Sequence, residues 1–360
     1  MKKKLGALLR VVVSVGILIY LFHGIFQKEA GEYFEAHQIN PDALSWMERS
    51  RIIWRVGPLS LWEAVQQVQP LWLVAAVVCA GIPGFLGIIR WRWILHVQGL
   101  HVRFPRLVSI TFIGLFFNAF MLGSTGGDVI KAWYVAHETH HKKAESVATV
   151  AVDRLIGLLA LFIIALAMMG IYYKRVFEDP KLLWFALATI LVVLATVAIT
   201  VIGLWRGLAD RFPRLRARLK QFPHYDTLRR MVEAYRAYAS HPVVLAKTIL
   251  ISFAVHIFSM LSIVCVGYGL GIHSAKLVDY FLYLPIINSV TAVPITISGF
   301  GVREGMYIKM FGQVGVPEPA ALVMSLLGYL SNLFWSLVGA PFYLTHRKEL
   351  PPPEMMAKEG

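Results

Sequence analysis

Residues Asn118–Lys131 read NAFMLGSTGGDVIK, and a later stretch, Asn288–Glu304, reads NSVTAVPITISGFGVRE. Each begins as an apolar run that ends early in glycines and a charged group. In hydrocarbon an unpaired backbone N–H or C=O is costly, so such breaks survive only when buried in protein or lining a wet cavity. Two interrupted segments at corresponding positions of two halves are typical of a transporter's binding site. The two stretches therefore predict both the fold and the place of function.

The composition assigns the chain to the membrane. Hydrophobic residues make up 57% and charged residues 16% of 360, a balance outside that of soluble domains. Lys and Arg total 35 against 21 acids, which in a membrane chain indicates cytoplasmic loops and contact with anionic headgroups. No soluble basic domain is present to bind nucleic acid, so nucleic acid is not an expected partner.

Apolar runs along the chain predict an all-α polytopic membrane protein. About six runs reach the length of roughly 20 residues that crosses a bilayer. The predicted full spans are Leu5–Phe26, Pro70–Leu95, Ser146–Tyr173, Leu182–Trp205, Thr248–Leu270 and Ala320–Leu344. The basic residues before Leu5 place the N-terminus in the cytoplasm, because positive charge is retained inside.

Two further runs, Leu107–Leu122 and Leu277–Ile297, are predicted to be re-entrant hairpins. If the first run crossed the membrane, the strongly basic loop 206–247 would face outward, against the positive-inside rule. If the second crossed, the cations that follow Leu344 would be misplaced in the same way. One hairpin would enter from the inside and the other from the outside, which is an inverted repeat with opposed hairpins.

This topology divides the chain into four parts. Residues 1–26 form a transmembrane anchor, 27–69 an external loop with interfacial helices, 70–346 a transmembrane domain and 347–360 a cytoplasmic tail. Both termini are then cytoplasmic. The basic cytoplasmic loop 206–247 is either a surface helix on the inner leaflet or a topology determinant only.

The first interrupted stretch supplies candidate binding residues: Asn118, Gly126, Gly127, Asp128 and Lys131. Free N–H groups and the positive end of the helix dipole after Gly126 and Gly127 would suit an anion such as a phosphate headgroup. Alternatively the glycines only permit the turn, Asp128 caps the helix and Asn118 satisfies the broken backbone.

Charged residues elsewhere in apolar surroundings are the other candidates. Arg303 either holds a lipid phosphate bidentately or pairs with Asp128 or Asp153, with Glu304 as its adjacent acid. Asp153 and Arg154 lie near the end of a span, where Arg154 binds substrate or snorkels to the interface. A histidine, His256, lies inside an apolar span and is either a proton-coupling group or a neutral side chain bonded to a neighbouring helix.

No metal site, cofactor site or catalytic residue is predicted. The HExxH, CxxC, GxSxG and P-loop patterns are absent. A membrane transferase would require an acidic pair on the external loop, and the acids between Glu29 and Asp42 lack such spacing. The chain is therefore expected to be a transporter rather than an enzyme.

Three motifs in order resemble the lysylphosphatidylglycerol synthase transmembrane family, also called flippase-like, which is related to the bacterial multiple peptide resistance factor. They are GSTGGDVIKA at Gly123–Ala132, DRLIGL at Asp153–Leu158 and ISGFGVREG at Ile297–Gly305. The resemblance implies that residues 70–346 form a flippase-like domain for phospholipids or polyprenyl or hopanoid-type lipids. No aminoacyltransferase follows Leu350 in this sequence, so aminoacylation is not expected.

The sequence thus predicts a lipid translocase of the bacterial inner membrane that moves an anionic lipid between leaflets. The alternatives are an integral-membrane transferase acting on a lipid-linked substrate and an accessory subunit that presents lipid to an enzyme. The expected partners are the lipid itself and a second copy of the chain or a lipid-synthesis enzyme. Three cations are expected to attract the headgroup and three carboxylates to hold those cations: Lys131, Arg154 and Arg303, and Asp128, Asp153 and Glu304.

Overall fold

The chain is helical almost throughout the part that the computed structural model describes, and no strand occurs there. The described residues are 16, 19–20, 22–31, 33–120, 126–139, 143–178, 180–204, 233, 236–292 and 299–346. Residues 22–31 and 33–36 are helical, and we call them the N-terminal helical segment. The later helices are α1 (Trp46–Gln66), α2 (Pro70–Val97), α3 (Phe104–Phe120), α4 (Gly126–Glu138), α5 (Lys143–Ile171), α6 (Tyr173–Glu178), α7 (Pro180–Leu204), α8 (Pro242–Gly269), α9 (Leu277–Thr291), α10 (Val302–Gly312), α11 (Glu318–Leu337) and α12 (Gly339–His346).

Four helical stretches are long and apolar enough to cross a membrane: Pro70–Val97, Ala144–Ile171, Pro242–Gly269 and Glu318–His346. They confirm a polytopic α-helical membrane protein. The predicted span Leu182–Trp205 corresponds to α7, which has 25 residues. Most of the predicted anchor, residues 1–26, lies outside the described residues, as do most of the basic loop and the whole tail 347–360.

Two helix pairs are too short to cross singly. Helices α3 and α4 have 17 and 13 residues, and α9 and α10 have 15 and 11. At 1.5 Å per residue their lengths are roughly 16 to 26 Å, against about 30 Å of hydrocarbon. Within each pair the two helices pack together, so each forms a helical hairpin where the sequence predicts one. Entry from opposite faces of the membrane stays a prediction.

Several helix ends differ from the sequence prediction by a few residues. Helix α8 begins at Pro242 rather than Thr248, because proline is well accommodated in the first turn of a helix. Within the predicted external loop, α1 is a 21-residue helix begun by a capping box, in which Ser45 and Glu48 bond each other's backbone N–H. This box satisfies backbone donors that the helix start would otherwise leave free.

The chain divides into two compact units, each discontinuous in sequence. Unit 1 comprises Met1–Ala80, Leu122–Ser124 and Phe258–Phe334, and unit 2 comprises Gly81–Met121, Thr125–Ile257 and Trp335–Gly360. In unit 1 the N-terminal helical segment, α1 and α11 bury a cluster that includes Phe26, Phe34, Ile53 and Leu322. In unit 2 the core contains Trp91, Ile110, Tyr134 and Val152. Hairpin α3–α4 belongs to unit 2, and hairpin α9–α10 belongs to unit 1.

Candidate functional site

The hairpin of unit 2 depends on a close helix contact at Gly127. A Cβ atom there would lie 1.8 Å from the Gly114 carbonyl oxygen, so no other residue fits without moving the backbone. The Gly127 N–H also donates to the Asn118 Oδ1 atom at 2.8 Å, which ties the start of α4 to the end of α3. Glycine at 127 therefore brings the N-terminus of α4 and the residues after it against α3. Residues 121–125, which join the two helices, are outside the described part.

A buried bidentate ion pair crosses from α2 to α5. The Arg90 Nε and Nη2 atoms donate to the two Asp153 carboxylate oxygens at 2.7 and 3.0 Å. Arg90 Nη1 donates to the Ser252 hydroxyl at 2.8 Å. Both charged side chains are only about one-tenth exposed. A pair with this geometry satisfies the carboxylate and holds it in one orientation.

A second cation, Lys131 on α4, shares the same carboxylate. Its Nζ atom lies 4.0 Å from Asp153 Oδ2 and 4.3 Å from the centre of the Trp91 ring. The ring is itself fixed, since Trp91 Nε1 donates to the Thr149 hydroxyl at 3.2 Å. The Lys131 side chain is 12% exposed, yet its ammonium group donates no hydrogen bond to any residue that the structure describes. Two buried cations thus share one carboxylate.

Asp128 and Arg154 form a second ion pair in unit 2. Arg154 Nε lies 2.7 Å from Asp128 Oδ2. The Arg154 side chain is 46% exposed and that of Asp128 20%, so this pair borders the buried cluster on its open side. In α4 and α5, Asp128 and Lys131 are one helical turn apart, and their partners Arg154 and Asp153 are adjacent in sequence.

His256 on α8 contacts the backbone of α5. Its Nε2 atom lies 2.9 Å from the Gly157 carbonyl oxygen, so this nitrogen carries a proton and donates. A Cβ on Gly157 would lie 3.3 Å from Arg90 Nη1, which shows that Arg90 and His256 approach the same point of α5. The contact matches the alternative that the sequence left open, a histidine bonded to a neighbouring helix. A role in proton coupling stays a prediction.

The hairpin of unit 1 carries a separate charged cluster at the start of α10. Glu304 is fully buried, and it accepts from the Gly301 N–H at 2.6 Å, from Arg303 Nη2 at 2.6 Å and from the Ser325 hydroxyl at 3.2 Å. Gly301 precedes the helix with φ of 85°, a conformation that glycine adopts readily. The Arg303 guanidinium lies against both the Phe300 and Tyr329 rings, 5.1 and 4.8 Å from their centres, and the two ring centres are 4.6 Å apart.

The structure therefore gives the sequence-predicted residues local partners. In unit 2 it brings Asn118 to Gly127, Asp128 to Arg154 and Lys131 to Asp153. In unit 1 the described partners of Arg303 are Glu304, Ser325 and two rings, so the hypothesis that Arg303 pairs with Asp128 or Asp153 finds no support there. Gly126 is the first residue of α4.

Sequence reasoning missed Arg90, Trp91 and Tyr329. Arg90 and Trp91 fall within the predicted span Pro70–Leu95, but no role was predicted for either. Helix α2 continues to Val97, so both lie inside it and are buried, whereas Arg92 is exposed. Asp153 was the available signal, because an intramembrane carboxylate requires a cationic partner and Arg90 faces the interior of the bundle.

These features define a class of protein: a polytopic membrane protein with interrupted helix pairs and charged clusters at the starts of their second helices. A model of the family described as the lysylphosphatidylglycerol synthase TM region matches residues 43–339, and the chain belongs to this family. It is 22% identical over 318 residues to a UPF0104 membrane protein of Pyrococcus horikoshii, covering 83% of this chain and 94% of the relative. The role of the chain is therefore connected with membrane lipids.

Proposed function

We propose that the chain is a lipid translocase that moves an anionic lipid between the two leaflets of a membrane. Membership of the family supports a lipid-related role. The charged clusters at the hairpins support the finer assignment, since ionisable groups in a membrane protein generally mark the path of a substrate or ion. The bacterial inner membrane and cytoplasmic termini remain part of the same proposal.

The observation that carries the proposal is the environment of Lys131. The Lys131 side chain is 12% exposed, and its ammonium group donates no hydrogen bond to a described residue. Such a mostly buried cation is costly, because it has lost part of its hydration without a full replacement. Asp153 lies at 4.0 Å and already accepts two hydrogen bonds from Arg90. A phosphate oxygen placed against Lys131 Nζ would complete its hydrogen bonding and balance the second cation.

The arrangement also favours release. The Trp91 ring and Asp153 both stabilise the Lys131 cation when no ligand is present, so binding gains only the difference between ligand and resident partners. Modest affinity is what a translocator requires, since substrate must leave on the far side. Arg154, whose side chain is 46% exposed, supplies a first contact for an arriving headgroup at the margin of the cluster, and Asp128 holds its guanidinium.

In the cluster of unit 1, too, a carboxylate and aromatic rings hold a cation that keeps a donor without a described acceptor. Arg303 Nε and Nη2 are occupied by Glu304 and Ser325, while Nη1 has no acceptor among the described residues. Two aromatic rings and a buried carboxylate fix the guanidinium plane, which would present its remaining donors to a phosphate in a set direction. We therefore assign Arg303 as a second headgroup contact and Glu304 as the residue that positions it.

The test is lipid exchange between leaflets in liposomes that contain the purified chain. Fluorescent phosphatidylglycerol and phosphatidylcholine are compared by the fraction that dithionite quenches over time, in the wild type, Lys131→Met and Lys247→Met. Lys247 is an exposed residue of α8 and serves as the matched control. A charge-assisted hydrogen bond contributes about 1.5–3 kcal/mol, so Lys131→Met should slow phosphatidylglycerol exchange about tenfold or more.

Two results support the proposal together: faster exchange of phosphatidylglycerol than of phosphatidylcholine in the wild type, and its loss in Lys131→Met but not in Lys247→Met. Exchange no faster than in protein-free liposomes would reject translocation and favour a transferase or an accessory role. Equal rates in Lys131→Met and the wild type would reject the assignment of Lys131.

A further inference from the structure

A cavity of about 410 Å³ lies in unit 1, where the N-terminal helical segment turns toward α1. Its polar lining comprises Gln27, Glu35, Gln38, Asn40 and Arg49, and Phe34 forms an apolar wall. Four of these five polar side chains are exposed at its rim, and Phe34 is 5% exposed. The cavity therefore has a polar opening over an apolar floor, and its volume lies in the range of about 300–1,000 Å³ typical of small-molecule sites.

The lining has a particular hydrogen-bonding character. The three carboxamides each offer two donors, Gln27 and Gln38 also offer a free acceptor, and the Asn40 Oδ1 atom already accepts from the Asp42 N–H at 3.0 Å. Glu35 adds acceptors only and Arg49 adds donors only. One carboxylate and one guanidinium give the cavity no net charge. No hydrogen bond from the Gln27, Glu35, Gln38 or Arg49 side chain to another described residue is present, so these groups remain available to a ligand. Hydroxyl groups, which donate and accept at once, match such a mixed set.

The backbone at Gln38 has a conformation that costs energy for a residue with a side chain. Its φ is 52°, the only positive value at a non-glycine residue within the described part of the chain. The Ile39 N–H bonds the Phe34 carbonyl at 2.9 Å, the pattern of a helix C-terminal cap in which glycine is strongly favoured at the left-handed position. An L-residue is strained in that conformation, and strained residues cluster at binding sites. The Gln38 side chain lines the cavity.

The cavity is also formed by a different part of the sequence from the hairpin clusters. Most of its lining, including Gln27, Glu35, Gln38 and Asn40, lies before residue 43, where the match to the family begins. A site made there is a property of this chain rather than of the matched family region. Its lining contains none of the residues that form the clusters at Lys131 and Arg303.

We propose that this cavity binds an uncharged, polyhydroxylated group of one or two sugar rings. The amides, Glu35 and Arg49 would bond adjacent hydroxyls, and the small exposed part of Phe34 would contact the apolar face of a ring. The absence of net charge selects against simple anions and cations. This proposal does not depend on lipid translocation, and it assigns a role to a segment whose function the sequence left open.

The experiment is saturation-transfer NMR on the purified full chain in an amine-oxide detergent, because maltoside and glucoside detergents would compete. Aromatic protein protons are irradiated, and transfer is measured to maltose, glycerol phosphate and ethanolamine. The variants are Gln38→Gly, Gln27→Ala and the matched control Gln67→Ala, whose exposed residue does not line the cavity. Thermal unfolding is recorded for each variant.

Transfer to maltose should occur in the wild type and in Gln67→Ala, and it should fall at least fivefold in Gln38→Gly and Gln27→Ala. Gln38→Gly should unfold at the same temperature as the wild type or a higher one, since glycine relieves the strain at φ of 52°. A binding loss in a variant that is no less stable separates a ligand role from a structural one. The proposal is overturned if maltose receives no transfer, if transfer to it is unchanged in Gln38→Gly, or if glycerol phosphate or ethanolamine receives more.

Discussion

Replacing Asp153 by Asn is the sharpest perturbation of the unit 2 cluster. Asn keeps the shape of the side chain but removes the charge that Arg90 and Lys131 share. At 2.7 Å and an effective dielectric constant of about 20, the attraction of the Arg90 pair alone is about 6 kcal/mol before desolvation is subtracted. Removing one partner of a buried pair typically destabilises a protein by about 3–5 kcal/mol. Asp153→Asn should therefore lower the folding equilibrium constant by about two to three and a half powers of ten.

The two partners should behave unequally. Arg90→Met leaves Asp153 with Lys131 at 4.0 Å, so one opposite charge remains nearby. Asp153→Asn leaves two buried cations with no carboxylate between them. The loss of stability should accordingly be larger for Asp153→Asn than for Arg90→Met, and the double variant Arg90→Met/Asp153→Leu should recover part of it, because neutral packing often replaces a buried pair without loss.

The assay is reversible unfolding in mixed micelles at increasing sodium dodecyl sulfate, followed by circular dichroism. A double-mutant cycle of Arg90→Met, Asp153→Leu and their combination isolates the coupling free energy of Arg90 and Asp153. The exposed Asp42→Asn is the control and should change stability by no more than about 0.5 kcal/mol. If Asp153→Asn also costs less than about 1 kcal/mol, the pair is solvated like a surface ion pair, and the argument from buried charge fails.

Three further predictions follow from single contacts. Gly127→Ala should destabilise the chain by about 1–3 kcal/mol through overpacking, measured by thermal unfolding, while Gly170→Ala, where nothing lies within 4 Å, should be neutral or stabilising. Glu304→Gln should cost about 3 kcal/mol or more in the same assay, because it leaves a mostly buried guanidinium without its carboxylate; an effect below 1 kcal/mol would contradict this. Hydrogen bonds from Ser45 lower the pKa of Glu48, so amide protection in the first turn of α1 should persist above about pH 4.5 and fade as the pH drops through the lowered pKa. Ser45→Ala should remove that protection at neutral pH in hydrogen exchange, and unchanged protection would refute the capping role.

Much of the fold could be predicted from the sequence, because it depends on composition and on the length of the apolar runs. The long apolar runs around Ala76 and Ala160 could be little else but membrane helices, and they are helical in the structure. The short helix pairs were predicted partly from glycines such as Gly126 and Gly301. In the structure Gly126 is the first residue of α4, and Gly301 directly precedes α10.

The candidate site could be predicted from the sequence only in part. Local motifs identified Asp128, Lys131 and Arg303, because glycines and charges stand together in the sequence. Arg90 escaped detection since its partner is 63 positions away, and its neighbours Trp91 and Arg92 made the region resemble a basic loop. Which face of a helix a charge occupies depends on packing, which charge counting does not capture.

Under the proposed function, the two cations of the unit 2 cluster have different roles. All three guanidinium nitrogens of Arg90 donate to Asp153 or Ser252. The role of Arg90 is therefore to hold the helices together. The Lys131 ammonium group has donors that no described residue accepts from. Arg90 thus has the structural role and Lys131 the role of contacting the headgroup, and both cations share the Asp153 carboxylate. Under the proposed function, a headgroup binds Lys131 without breaking the Arg90–Asp153 ion pair that holds α2 to α5.

The most direct test of the account maps where a lipid headgroup binds. Phosphatidylglycerol with a photoactivated diazirine in its headgroup is cross-linked to the chain in liposomes, and the labelled peptides are identified by mass spectrometry for the wild type, Lys131→Met and Lys247→Met. The account predicts labelling of α4 and α5 around Lys131 that is lost in Lys131→Met and kept in Lys247→Met. Labelling confined to other segments, or unchanged in Lys131→Met, would contradict the claim that Lys131 holds the headgroup.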